Sequence, residues 1–182
     1  MKTSARGHFP LIPGIFLIFF FIFLYVRDPL FKNVTPGKNP DTAYSVGEAP
    51  VFSVIDGDTI AVLVNEKEET VRLIGIDSPE YGKNGTGECY HEEATVRMRE
   101  IVGLDIVRLE AEPNGDDRDK YGRLLRFVFL TDGTNVGEMM VREGFAREYT
   151  YLGKPYTLQA DFAEAEKQAK AAGLGIWGVA CK

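Results

Sequence analysis

The chain has 182 residues, 45% hydrophobic and 26% charged, a composition that folds rather than staying disordered. Two His and two Cys are too few for most zinc sites, for haem proteins and for His-centred catalysis, so acid–base work falls to carboxylates, arginines, tyrosines or a metal-bound water. A formal net charge of −6 excludes a protein that coats nucleic acid through bulk positive charge.

The charge is unevenly spread. Residues 1–44 carry five Lys/Arg against two Asp/Glu, and residues 45–182 carry 16 against 25. After a short basic N-terminus (1–8), residues 9–26 (FPLIPGIFLIFFFIFLYV) hold no charge and are apolar on every helical face. At 1.5 Å per residue that run reaches roughly 27 Å, just enough for a bilayer core. It reads as an uncleaved transmembrane anchor, the rival being a cleaved secretory signal. Its length favours the anchor; no small-x-small site follows closely, and Ala43-Tyr44-Ser45, which has the right residue types, lies far downstream. Residues 27–49, rich in Pro, Gly, Asn and Thr and without apolar periodicity, read as a linker. The folded domain is expected over 50–178, with 179–182 as a tail.

Short β-branched runs at Val51–Ile55, Thr59–Val64 and Thr70–Ile76 predict strands, the last two joined in a hairpin by the polar residues 65–69. Helical spacing predicts a helix over His91–Val102, stopped by Gly103. Strands follow at Ile106–Glu112 and Arg123–Leu130, then helices at Val136–Glu143 and Thr157–Ala172, with Leu158, Phe162, Ala165 and Ala169 on one stripe. The order βββ-α-ββ-α-α predicts a mainly β, α+β domain: a five-stranded closed barrel of the OB type with three helices beside it.

Within the hairpin, Asp58 lies nine residues before Lys67 and Asp77 ten after it. With a turn centred there, antiparallel pairing predicts that the two carboxylates face each other at the open end. Glu80 and Arg72 lie close by in sequence. Three acids and an arginine at one barrel end suit a hard cation beside a phosphate.

Four segments then share one resemblance: Val54-Ile55-Asp56-Gly57-Asp58-Thr59; Arg72-Leu73-Ile74-Gly75-Ile76-Asp77-Ser78-Pro79-Glu80; Asp119-Lys120-Tyr121-Gly122-Arg123; and Gly173-Leu174-Gly175-Ile176-Trp177. In order and spacing they resemble the staphylococcal nuclease (thermonuclease) family from about Val51 to Trp177. The resemblance implies a Ca²⁺-dependent nuclease that cleaves DNA and RNA to products ending in 3′-phosphate. It implies Ca²⁺ ligation by the carboxylates of Asp58 and Asp77 and the carbonyl of Ser78, where the family usually has Thr. Glu80 is implied as general base or water-orienting group, and Arg72 and Arg123 as phosphate-binding catalytic residues. Lys120, Tyr121, Tyr149 and Tyr151 match positions near the bound nucleotide. The chemistry agrees: charge builds on phosphate oxygens during hydrolysis, and guanidinium forks and a cation stabilise it.

A domain held outside the cytoplasm, tethered or secreted, is expected to pair Cys89 with Cys181 in a disulfide. The catalytic domain is expected to be monomeric, with DNA and RNA as substrates and the membrane reached through the N-terminal segment. Two rival readings use the same fold: an inactive OB module that binds nucleic acid or a protein, and a membrane-tethered interaction domain with an acidic face.

Overall fold

In a computed structural model, residues 47–82 and 86–181 are described. The expected membrane segment and almost all of the linker lie outside them. Among the described residues no helix is long and apolar enough to cross a membrane.

Among the described residues, seven strands and three α-helices follow in chain order: β1 (Gly47–Val54), β2 (Thr59–Val64), β3 (Lys67–Leu73), β4 (Ile76–Asp77), α1 (His91–Val102), β5 (Ile106–Glu110), β6 (Leu124–Phe129), α2 (Val136–Arg142), β7 (Arg147–Glu148) and α3 (Gln159–Ala172). Five strands close a barrel in the order β1-β2-β3-β6-β5, and β4 pairs with β7 in a separate two-stranded sheet. β1 serves two neighbours. Residues 47–50 pair with β5 and residues 51–54 with β2, with an irregularity between Val51 and Ser53 that bends the strand around the corner. β1 therefore starts at Gly47, ahead of the Pro50 boundary expected from composition, and Ala49 is already buried.

The alternation of β-branched residues builds the interior. Ile60, Val62, Val71, Val107, Leu124 and Val128 point inward and are essentially solvent-free. α1 closes on this core through Ala94, Met98 and Val102, and α3 through Phe162, Ala165 and Ala169. The expected stripe on α3 thus holds, with Leu158 at its N-cap. Asn135 caps α2 by accepting the Glu138 N–H at 3.0 Å.

The hairpin differs from the sequence expectation in an instructive way. Thr59 pairs with Arg72 and Val64 with Lys67, so the turn is only Asn65-Glu66. Both turn residues have positive φ (52° and 64°), the requirement of a two-residue type I′ hairpin. Lys67–Glu69, expected in the loop, are strand residues. In this tighter register Asp58 lies opposite Leu73, whose N–H donates to the Asp58 carbonyl at 2.9 Å, and not opposite Asp77. β3 ends there. The chain turns at Ile74-Gly75, and Asp77 returns on β4. Gly75 has φ 84°, and a Cβ on it would sit 2.8 Å from the Tyr156 ring, so only glycine makes this turn.

Candidate active site

Asp58 follows the Asp56-Gly57 turn that opens β2. A Cβ on Gly57 would come within 2.8 Å of Ser78 and of Ala94 on α1, so the glycine lets this turn pack directly against the segment after β4. That contact brings Asp58 and Ser78 together. Asp58 Oδ2 accepts the Ser78 N–H at 2.8 Å and the Ser78 hydroxyl at 3.1 Å. Oδ1 accepts the Thr59 hydroxyl at 3.0 Å and faces Arg72 Nε at 3.1 Å. A carboxylate only 1% exposed needs this many partners, because a buried charge without them is strongly destabilising.

Arg72 is the hub. Besides Asp58 it reaches Asp77 Oδ1 at 3.3 Å through Nη2, and Nη1 donates to the carbonyls of Leu73 and Ile76, each at 2.8 Å. The two aspartates do converge as expected, but through the Ile74-Gly75 turn and this guanidinium rather than through the strand ladder. Asp77 is half-buried. Burial raises its carboxyl pKa above the usual range, Arg72 opposes the rise, and the charges of Asp58 and Glu80 add to it. Glu80 is exposed, two residues past the buried Ser78, and close enough for its field to reach Asp77.

Among the described residues no group of three or more His, Cys, Asp or Glu is arranged to hold a metal ion. The donor set expected here contains only two carboxylates and a backbone carbonyl, all oxygen, which suits a hard cation that keeps several waters. Asp77 fits such an ion. Its ionised form is held at a cost set first by burial and then by the neighbouring carboxylates, and a cation relieves that cost.

Arg123 lies one residue ahead of β6, which runs parallel to β3 with Leu125 level with Arg72. Its Nε donates to Asp119 Oδ2 at 2.6 Å. Asp119 Oδ1 accepts the N–H groups of Tyr121 (2.9 Å) and Arg123 (3.0 Å), which folds residues 119–123 into a tight loop. Burial pushes the Asp119 carboxyl up, but these bonds outweigh it and hold its pKa below the usual range. Lys120 Nζ lies 4.9 Å from the Tyr121 ring centroid and the Arg123 guanidinium 5.6 Å from it. Lys120 has a raised pKa, chiefly from its hydrogen bond to Tyr121, with smaller effects from Tyr121, Tyr151 and Asp119 charge. Tyr121 is 73% exposed, Tyr149 43% and Tyr151 55%, and the last two rings stand 6.3 Å apart. Open aromatic faces beside cations are what base stacking uses.

Four further residues shape the site without having been singled out in the sequence. Asp56 accepts the Asp58 N–H at 3.0 Å, and its pKa is raised by burial first and by the neighbouring Asp58 second. Asp119 orders the Arg123 loop. Both lie inside the motifs quoted above, and an acid repeated next to a functional residue was the available signal. Arg147 pairs with Asp77 across β4 and β7. Tyr156 donates to the Gly75 carbonyl (3.2 Å) and to Glu148 (3.1 Å), which fixes the turn that delivers Asp77. Those two come from a strand of two residues and a loop, too short to show periodicity. Cys89 and Cys181 are joined in a disulfide. Trp177 is only half-buried, with Lys170 and Arg147 against its ring.

The family model described as staphylococcal nuclease homologue matches residues 70–179. A protein of Bacillus subtilis (strain 168) named endonuclease YncB is 44% identical over 125 residues, covering 68% of this chain and 58% of its own length. The prophage-derived endonuclease YokF of the same strain is 43% identical over 125 residues, 68% of this chain and 41% of its own. The chain thus spans about half the length of these two relatives. The micrococcal nuclease of Shigella flexneri is 36% identical over 135 residues, 70% of this chain and 71% of that protein.

Proposed function

The chain belongs to the staphylococcal nuclease family, and from that premise we propose that it is a phosphodiesterase that hydrolyses DNA and RNA with Ca²⁺, releasing 3′-phosphate ends. The observation that carries this reading is the Arg72 guanidinium held between Asp58 and Asp77 at one barrel end, with Glu80 beside them.

Asp58, Asp77 and the Ser78 carbonyl would hold the cation. When bound, the ion polarises the phosphate and lowers the pKa of its water. Glu80 takes the proton of the attacking water. It needs no imidazole, because a positioned carboxylate accepts a proton in the transition state. Arg72 is fixed in advance by its carboxylate and carbonyl partners, so its remaining donor capacity meets the phosphate at little cost in reorganisation. Arg123 leaves or shares Asp119 to stabilise charge on the phosphate oxygens. Lys120 and Tyr121 engage a neighbouring phosphate, and Tyr149 and Tyr151 stack on a base.

The domain is acidic, so substrate is held by this local cluster of cations rather than by a long basic track. We further propose a membrane anchor at residues 9–26, a tether up to β1, and a monomeric catalytic domain outside the cytoplasm. The uncharged run supports the anchor, and the disulfide supports an oxidising compartment.

The purified protein tests this with single-stranded DNA, in Ca²⁺ and then in a chelator. Hydrolysis is expected to require Ca²⁺ and to fall about 10²–10³-fold in Arg72→Ala, with a comparable loss in Glu80→Gln. Failure of a folded, Ca²⁺-supplied protein to hydrolyse either polymer would leave the OB module as a binding protein.

A further inference from the structure

Among the described residues nothing holds the Glu80 carboxylate itself, so its position is inherited from the backbone that carries it. That backbone opens a small hairpin. The Glu80 carbonyl accepts the Glu88 N–H at 2.9 Å, and the Glu80 N–H donates to Glu88 Oε2 at 3.4 Å. Tyr81 pairs with Gly87, and the Gly82 N–H donates to the Thr86 carbonyl at 3.0 Å. The hairpin has two roots. One is β4, through Ser78 and Pro79. The other is Cys89, which follows Glu88 directly and is bonded to Cys181.

The second root is shared between the disulfide and the start of α1, where the His91 N–H donates to the Glu88 carbonyl at 3.2 Å and the Tyr90 ring centroid lies 6.1 Å from that of Phe145. α1 begins behind Tyr90, which sits in the left-handed region at φ 73° and provides no side-chain cap. The His91 ring adds a second contact to the same Glu88 carbonyl through Nδ1 at 2.9 Å, and its centroid lies 5.4 Å from that of Tyr81. The far end of the bridge lies in the C-terminal turn Val179–Cys181, which contributes no buried residue of its own. Cys181 closes a short turn after Gly175–Trp177, and that segment is tied to the end of α2 by the Ile176 N–H donating to the Gly144 carbonyl at 2.9 Å. The bridge therefore connects the returning strand of the Glu80 hairpin to the C-terminal turn that follows this tie, across a sequence separation of 92 residues.

We infer that the Cys89–Cys181 disulfide is a positioning device for Glu80: it holds the hairpin so that the carboxylate meets the attacking water, and it makes turnover depend on redox state. This rests on the reading of Glu80 as the base. A general base acts only within hydrogen-bond reach, and a displacement of about 1 Å costs on the order of 10²-fold in rate. Opening the bridge takes a dithiol reductant, which transfers two electrons and two protons. The bridge becomes two thiols and the reductant closes to its own disulfide.

The test is a cycle on the full chain: wild type, Cys89→Ala/Cys181→Ala, Glu80→Gln, and all three substitutions together. Each is assayed for kcat and KM on single-stranded DNA with Ca²⁺, at a temperature where melting curves show every variant folded. In the wild-type background, losing the bridge is expected to lower kcat about 10- to 100-fold with KM within about 3-fold. In the Glu80→Gln background it is expected to lower kcat no further, because the positioned group is already gone. Treating the wild type with dithiothreitol should reproduce the loss, and reoxidation should restore it. An equal loss in both backgrounds, or no loss in the wild type, overturns the proposal. So does unfolding of both the reduced and the double-substituted protein, which would make the bridge a global staple. If Glu80→Gln turns over at the wild-type rate, the base assignment itself fails, and a bridge effect surviving in that background would show that the two failures are separate.

Discussion

Two aspartate–arginine pairs flank the proposed phosphate position, and they are built differently. Asp58 and Arg72 are both buried or nearly so, and they meet only because the β2–β3 hairpin, the Ile74-Gly75 turn and the Asp56-Gly57 turn all close. Asp119 and Arg123 lie four residues apart in one surface loop, with the arginine side chain 30% exposed. The first pair is part of the fold: Arg72 also bonds two backbone carbonyls and cannot move without disturbing β3 and β4. The second is a local clasp that can open toward a substrate. Two arginines assigned the same chemical role therefore differ in how much of the structure depends on them.

The largest effect expected from this contrast is on stability. Arg72→Ala should cost about 3–5 kcal/mol in addition to its rate loss, since it strips Asp58 of its charge partner inside the protein. Arg123→Ala should lower the rate about 10²–10³-fold yet leave stability within about 0.5 kcal/mol. Urea melts of the two variants compare them directly. Equal midpoints would remove the distinction between a structural and a mobile arginine.

Next in size is Asp119→Asn. It keeps much of the loop's shape but weakens the hold on the Arg123 guanidinium. If Arg123 must leave Asp119 to reach phosphate, KM should change by less than about 10-fold and kcat should not fall as far as in Arg123→Ala. If Asp119 instead aims the guanidinium, both variants should lose kcat alike. Steady-state kinetics on one oligonucleotide separates the two.

The same contrast explains how much was legible in the sequence. The barrel strands and the three helices follow from period-2 and period-3.6 patterns in residues such as Val71, Val107, Met98 and Phe162, and these were readable because burial is periodic. The convergence of Asp58 with Asp77 was readable, but its cause was not. The polar run 65–69 hid where the turn begins, because positive φ at Asn65 and Glu66 is set by hairpin twist rather than by polarity. β7 and its pairing of Arg147 with Asp77 were not legible, because two residues carry no period and the contact is made by a distant part of the chain. The roles of Asp56 and Asp119 depend on which way a turn folds back, which neighbouring residue types alone do not specify.

The smallest effect distinguishes Asp77 from Asp58 by charge balance. Asp58 spends its charge on four donors, whereas Asp77 is half-exposed and has its pKa raised, by burial first and by neighbouring carboxylates after Arg72's opposition. A carboxyl whose folded pKa lies above its unfolded value binds its proton more tightly in the folded state. Stability therefore falls as pH rises from the unfolded pKa through the folded one, and the cost stays in full above that window. Asp77→Asn removes the ionisable group, so without Ca²⁺ it should melt slightly above the wild type at neutral pH. The advantage should shrink as pH drops through the window and vanish below the ordinary carboxylate range. Calorimetry across that range measures it, and a variant that melts below the wild type at neutral pH would contradict the charge argument. Added Ca²⁺ should invert the order, because an ion that binds the folded state raises stability by mass action and Asp77→Asn has lost one of its ligands. If Ca²⁺ stabilises both proteins equally, Asp77 is not a ligand, and the cation, if bound, sits elsewhere on the domain.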